Sequence, residues 1–365
     1  MNAEWTRRSV LTGLMTGVGA AALMPLLPAR ALADVVKLDG HTMGTRYRLT
    51  IASATNGANM PRLKHDIEAL LESAEADFSP FRADSTLSRF NAADNTDWQK
   101  TSSDFARVLS RALAFQTWSD GAFNPAVGAV SDYWGFWTKP RGDFNPADPV
   151  DVSSREVAKR LSRGTLKVDG LRVRKNFGDI AVDLCAIAKG DALDRLCARI
   201  DVAGLENYLI EIGGELRARG AGLTGQGWRV AVERPDGKPE PWAVVKLDGK
   251  AIATSGDYVK SFTYKSRRFG HLMDPKTARP THNDLALVSV VADTALEADA
   301  LATALYVMGP DKGPKAAEAF NLSALFVRRD GPQGELPQGD WPQGYTQWAS
   351  RGFENIVLTD GEGAS

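Results

Sequence analysis

Apolar residues along the chain fall into two periods. Over 60–76, Leu63, Ile67, Leu70, Leu71 and Ala74 recur every three or four positions, the stripe of an amphipathic helix. A second helix is predicted over 102–119, stopped by Asp120-Gly121. A third covers 294–308, with Asp293 as its cap and Gly309-Pro310 as its end. A fourth starts near Asp183, with Leu193, Leu196 and Ile200 on one side, and 153–162 adds a short one. Elsewhere the period is two. Tyr47, Leu49 and Ile51 alternate in a strand over 41–51 entered through a turn at Met43-Gly44-Thr45, and 165–177 alternates around Asp169-Gly170 as a hairpin. Strands are also expected over 207–212, 228–234, 242–247 and 251–255, with a hairpin over 258–264 and 268–273. Further along, 286–292 reads as a buried strand, 322–328 as another, and 345–358 as a return to the sheet. The polar stretch 77–91 and the Gly/Pro/Gln-rich stretch 332–344 read as loops.

Many short strands among a few helices, without βαβ alternation, predict an α+β fold. No Ser/Gly linker, repeat or charge block interrupts the chain, so 34–358 is read as a single domain with a tail at 359–365. Residues 1–33 are set apart. Thr6-Arg7-Arg8-Ser9 precedes a weakly apolar, Gly-interrupted run and then Ala31-Leu32-Ala33, the pattern of a twin-arginine signal peptide. That run is poorly suited to span a bilayer. The expected mature chain begins at Asp34 in the periplasm.

Charge and cysteines narrow the partners. The net charge is −1, and losing Arg7, Arg8, Arg30 and Glu4 with the leader makes it −3, which offers no electrostatic case for nucleic acid or anionic membrane. Cys185 and Cys197, placed on one helix twelve positions apart, would lie about 18 Å from each other, too far for a disulfide. They are expected to be small buried residues. Four scattered histidines and no Cys/His cluster argue against zinc.

The richest stretch chemically is Asp183-Leu184-Cys185-Ala186-Ile187-Ala188-Lys189-Gly190. Small residues let backbone approach a ligand, and the lysine and aspartate offer opposite charges to a polyphosphate and its metal. A tightly packed helix start with a solvated lysine accounts for the octapeptide equally well. Asp299 and Thr303, four apart on a helix face opposite Leu301, Leu305 and Met308, could both ligate a hard cation or simply face water. The aromatics of Asp132-Tyr133-Trp134-Gly135-Phe136-Trp137 close a core or stack on a ring system. Gly213-Gly214, at a strand end, form an ordinary turn or let a bound group lie on bare backbone.

Taken in order, these motifs resemble the ApbE family of flavin transferases from about His41 to Met308, more weakly to Phe353. The matching pieces are Met43-Gly44-Thr45, the 79–91 stretch, Gly121-Ala122-Phe123-Asn124-Pro125 with Trp134-Gly135-Phe136, Asp183 to Gly190, Ile212-Gly213-Gly214, Ala253 to Tyr258, His271 to Pro280, and Ala298 to Ala304. The resemblance implies an α+β roll of mostly antiparallel strands with flanking helices. It implies an enzyme that takes FAD with Mg²⁺ and moves FMN onto a threonine hydroxyl of a target protein, releasing AMP. No Gly-x-Gly-x-x-Gly follows a strand, so a Rossmann mode of FAD binding is not expected.

Carried over by position, Met43, Phe81, Ala122, Phe123, Asn124, Asp183, Lys189 and Leu272 would surround FAD. The main-chain oxygen of Ala186 and the side chains of Asp299 and Thr303 would hold the metal. His271 is the candidate base for the threonine, or else a structural hydrogen-bonder; Asp257 is the alternative base or the group that orients the hydroxyl. Five positions depart from the family's habit: Asn124 stands for an acid, Phe81 for a tyrosine, Cys185-Ala186 for two glycines and Ala278 for a glycine. Exported members of this kind resemble NosX, associated with nitrous-oxide respiration, whose target is the periplasmic flavin domain of a NosR-like membrane regulator. Others modify subunits of ion-pumping redox complexes. Two other functions share the same pocket: a flavin-binding carrier, and a Mg²⁺-dependent FAD pyrophosphatase.

Overall fold

The computed structural model describes residues 35–52, 58–137, 158–161, 166–258, 260–264, 267–330 and 344–358. The expected signal peptide, the start of the mature chain at Asp34, the C-terminal tail and most of the 332–344 loop lie outside these residues. Of the helix expected over 153–162, residues 158–161 are described, and they are helical.

The chain opens with the hairpin β1 (Val35–Thr42) and β2 (Thr45–Ala52), so the turn at Met43-Gly44 joins two strands. Helix α1 (Met60–Phe78) follows, then α2 (Thr86–Ala92), β3 (Gln99–Lys100), α3 (Ser103–Trp118) and α4 (Gly128–Tyr133). The hairpin β4 (Leu166–Asp169) and β5 (Arg172–Lys175) pairs with β3. Next come α5 (Ala188–Val202), the hairpin β6 (Tyr208–Ile212) and β7 (Glu215–Arg219), the hairpin β8 (Trp228–Val232) and β9 (Ala243–Leu247), and β10 (Ala251–Gly256). Two small ribbons, β11 (Ser261–Tyr264) with β12 (Arg267–Gly270) and β13 (Met273–Asp274) with β14 (Arg279–Pro280), precede β15 (Leu285–Ala292). The described chain ends with α6 (Ala295–Ala319), β16 (Ser323–Arg329), β17 (Tyr345–Ala349) and α7 (Arg351–Glu354).

Eight of these strands form one sheet in the order β1-β2-β6-β7-β10-β15-β16-β17, with every pair antiparallel. Both faces of its centre are covered. Ile210, Val288, Val290 and Phe326 point into a core shared with α1, α3, α5 and α6. Leu209, Leu287, Val291 and Val327 point to the other side, against Trp228, Val230, Val245 and Leu247 of the β8–β9 ribbon and Phe353 of α7. Burial on both faces is why β15 reads as a continuous apolar run instead of an alternating one. The fold class is α+β, as the element pattern predicts.

Several element bounds move, each for a local reason. The 77–91 stretch is not a plain loop: Ser85 caps α2 by accepting from the Ser88 amide, and the buried Asp77 accepts from Thr86 and Ser102, tying together three helix ends. The helix expected from Asp183 starts at Ala188. The Asp183 carboxylate accepts from the Cys185 amide two residues on, a local turn that competes with helix formation. Cys185 therefore lies off the helix and is exposed, contrary to expectation; Cys197 is buried, and both thiols are free. Thr294, not Asp293, caps α6, accepting from the Glu297 amide. Gly309 breaks that helix at φ 81°, but a second segment continues to Ala319. The face of α6 carrying Asp299 is buried, not solvated, because the helix packs between α5 and the sheet.

Candidate active site

Two helix N-termini meet at the centre of the site. Asp194 of α5 accepts from the Ala295 and Leu296 amides at 2.8 and 3.0 Å, so one helix caps the other. Gly190 makes the contact close enough: a Cβ there would sit 2.3 Å from the Ala295 carbonyl oxygen. Arg107 of α3 pairs with the buried Asp191 and fixes the first turn of α5 from outside.

This packing encloses a charged cluster. Lys189 Nζ lies 3.3 Å from Glu215 Oε1 and 3.9 Å from Asp299 Oδ2, and donates to the Cys185 carbonyl at 3.0 Å. Asp299 is 4 % exposed and Glu215 6 %, and the Glu215 Oε2 atom is buried without a hydrogen-bond partner. Burial pushes both carboxyls above their ordinary range, and Lys189 opposes the shift. Burial also disfavours the ammonium, but Asp299 and Glu215 outweigh it and raise the lysine. One turn beyond Asp299, the Thr303 hydroxyl is 3.1 Å from Ser255 Oγ at the end of β10. Ala186 is half-buried on the turn just ahead of α5.

Among the described residues, no three His, Cys, Asp or Glu side chains converge, so a zinc-type set is absent there. Asp299 and Thr303 offer carboxylate and hydroxyl oxygens, with an unsatisfied carboxylate oxygen nearby on Glu215. Such donors suit a hard cation.

A second group surrounds Asp183. Its amide donates to the Pro125 carbonyl at 2.8 Å, and Val127 forms a parallel bridge with Ala181, which lays the 122–128 segment alongside. Asp183 Oδ2 accepts from Ser131 of α4 at 3.0 Å. Ala122, Phe123 and Asn124 are buried in that segment. Asn124 donates to the Leu161 carbonyl and accepts from the Ala126 amide, shaping the loop as an uncharged residue. Cys185 links the groups, with its amide on Asp183 and its carbonyl on Lys189.

The third group centres on His271. Its Nδ1 lies 3.1 Å from the Lys260 carbonyl. A carbonyl only accepts, so Nδ1 carries the hydrogen and Nε2 keeps a free lone pair. Burial, then the Lys260 charge, pulls the imidazole down to about 3, and Lys189 adds to the effect. Phe136 stands edge-on to the ring at 6.3 Å, and Leu272 is buried next in sequence. The aromatic cluster thus closes the core around the site: Trp134 stacks on Phe269 at 5.6 Å and donates to the Ala278 carbonyl.

The remaining candidates are more dispersed. Phe81 is 62 % exposed, with Lys260 Nζ 6.0 Å from its ring centre. Met43, at φ 49°, donates its amide to Glu75. Its turn reaches the cluster through Gly213, where a Cβ would meet Thr45 Cγ2 at 2.7 Å. Asp257 sits against Gly270 but gives its carboxylate to Arg329, an ion pair that takes up the charge a base would use. Sequence reasoning passed over Glu215, Ser255, Ser131 and Asn91. Asn91 and Ser255 stood inside matched motifs, and Glu215 was the acid directly after Gly213-Gly214; Ser131 carried no signal.

Comparison with known proteins agrees with this geometry. The ApbE family model matches residues 43–326. A FAD:protein FMN transferase of Haemophilus influenzae is 34 % identical over 325 residues, covering 87 % of this chain and 94 % of its own. One from Vibrio cholerae is 32 % identical, covering 93 % and 98 %. Among solved structures, the flavin transferase ApbE of Vibrio cholerae superposes with a TM-score of 0.77 at 31 % identity, covering 88 % of this chain and 99 % of that one. The apo form of the Pseudomonas stutzeri flavinyl transferase ApbE also gives 0.77 at 31 % identity, covering 88 % and 96 %. With both the sequence pattern and the three-dimensional fold matched over most of its length, the chain belongs to the ApbE family.

Proposed function

We propose that the chain transfers the FMN half of FAD onto a threonine hydroxyl of a protein acceptor and releases AMP, with Mg²⁺ as the divalent cation. The observation that carries this reading is the buried Lys189–Glu215–Asp299 cluster beside the Thr303 hydroxyl. A diphosphate with its metal supplies the charges such a cluster is built to receive. The activity named for the Haemophilus and Vibrio relatives supports it.

Mg²⁺ fits the residues present, since the Asp299 and Thr303 side chains and the Ala186 carbonyl offer only oxygen. When bound, the ion would neutralise diphosphate charge as AMP leaves. Lys189 adds a second positive centre. Ala122, Phe123, Asn124, Asp183 and Leu272, with Met43 and Phe81 further out, would hold the flavin nucleotide.

The acceptor threonine oxygen attacks the phosphorus of the FMN half and forms a new phosphoester. The bond from that phosphorus to the bridging oxygen breaks, and its electron pair leaves on AMP. The hydroxyl proton passes to His271 Nε2, the free nitrogen of the ring; Asp257 is the alternative, handicapped by Arg329. The twin-arginine leader favours a periplasmic site of action, with a NosR-like regulator of nitrous-oxide respiration or a subunit of an ion-pumping redox complex as acceptor.

The test mixes the mature protein, FAD, Mg²⁺ and a candidate acceptor domain, and reads the acceptor's mass. The expected result is a gain of one FMN on a threonine. Free FMN and AMP with an unmodified acceptor would instead make the chain a pyrophosphatase, and intact FAD would make it a carrier.

A further inference from the structure

Glu215 belongs to the charged cluster but has no role of its own so far, and its placement is tightly determined. It opens β7 directly after Gly213 and Gly214, which take φ 58° and 105°, and Gly213 is pressed against Thr45. The carboxylate is therefore presented into the site from a hairpin end whose left-handed positions glycine adopts without strain.

Among the described residues its carboxylate pairs with Lys189 at 3.3 Å, closer than the 3.9 Å between the same ammonium and Asp299. The two carboxylates thus share one cation, and the lysine sits nearer the one not assigned to the metal. If Asp299 binds a divalent ion, as the proposed function requires, an ammonium with no other counter-ion would compete for that carboxylate and repel the incoming charge. The Cys185 carbonyl accepts one ammonium proton but carries no charge to offset this.

We propose that Glu215 is a positioning residue that anchors the Lys189 ammonium away from Asp299, keeping that carboxylate available to the divalent ion while the lysine faces the diphosphate. Without Glu215 the ammonium loses its nearer partner, and Lys189 falls to Asp299. This inference deepens the reading above and rests on its metal site.

The experiment titrates Mg²⁺ calorimetrically into protein saturated with ADP, a diphosphate with no flavin to transfer. Glu215→Gln is expected to weaken Mg²⁺ binding roughly tenfold to a hundredfold. Adding Lys189→Met to that variant should recover most of the loss, because no ammonium is left to compete, and Glu215→Asp should recover part. In AMP-release assays, Glu215→Gln should raise the half-saturating Mg²⁺ concentration far more than it lowers kcat at saturation. A purely structural Glu215 would lower the melting temperature and kcat without moving that half-saturation, and the double variant would recover nothing. Should Glu215→Gln fail to fold, Lys189→Met alone is expected to bind Mg²⁺ more tightly than the parent, and the double variant, which keeps the parent's formal charge, to match the parent. Unchanged affinity in Glu215→Gln, or no recovery in the double variant, overturns the proposal alone. Absence of saturable Mg²⁺ binding in the parent protein overturns the metal site itself, and the proposal with it.

Discussion

The Gly190 amide donates to Asp299 Oδ2 at 3.3 Å across 109 residues of chain. This bond and the Asp194 cap on α6 make the start of one helix and the second turn of another a single unit. A methyl group at Gly190 has nowhere to go, since the nearest atom is a backbone oxygen. Gly190→Ala is expected to cost about 1–3 kcal/mol of stability by overpacking. It should also weaken Mg²⁺ binding by displacing Asp299; chemical denaturation and metal titration would measure the two effects.

Asp299→Ala removes the one side chain that joins Gly190, Lys189 and the proposed metal. AMP release should fall roughly a hundredfold or more, while circular dichroism stays that of the parent because Lys189 retains Glu215 as counter-ion. Wild-type turnover in this variant would remove Asp299 from the site.

His271 gives a pH signature. Its folded-state value of about 3 lies below the ordinary 6.5, so the unfolded chain binds more protons and stability falls as pH drops from about 6.5 towards 3. His271→Gln should flatten that part of the stability curve. If the neutral ring is the base in the free enzyme, kcat/KM should show no inflection near 6.5 in the parent. An inflection there that disappears in His271→Gln would show the ring titrating at its ordinary value and not at the lowered one described.

Asn91 of α2 holds Val182 by both polar atoms, donating to its carbonyl at 2.9 Å and accepting from its amide at 2.7 Å. Lys175, fully buried, donates in turn to the Asn91 and Ile180 carbonyls. Together they fix the segment that carries Asp183. Asn91→Ala leaves two backbone groups unpaired and is expected to cost about 1–3 kcal/mol. It should raise KM for FAD more than it lowers kcat, as steady-state kinetics would reveal.

Ala278 stands at φ 52°, a left-handed conformation that glycine adopts without strain and other residues do not. It is buried, and its carbonyl accepts from Trp134. Ala278→Val should destabilise by about 2 kcal/mol or more, whereas Ala278→Gly should fold at least nearly as well as the parent. Thermal melts of the pair would check the order.

The period of the apolar residues was enough to reveal most strands of the large sheet, the main helices and the α+β class, because each element must turn a continuous apolar face to the core; it did not reveal β1, β3 or the β13–β14 ribbon. Motif order was enough to suggest the family and to bring forward Lys189, Asp183, Asp299, Thr303 and His271, since these residue types stand in local patterns. Long-range geometry decided the rest. That the Asp183 carboxylate, which opens a turn through the Cys185 amide, is also held by Ser131 depends on α4 being brought beside it from 52 residues away. That Asp299 is buried, and that Lys189 answers to Glu215, depends on β7, α5 and α6 being brought together from distant parts of the chain. Local propensity encodes periodicity and caps; the electrostatics of a buried ion cluster exist only once the elements pack and water is excluded.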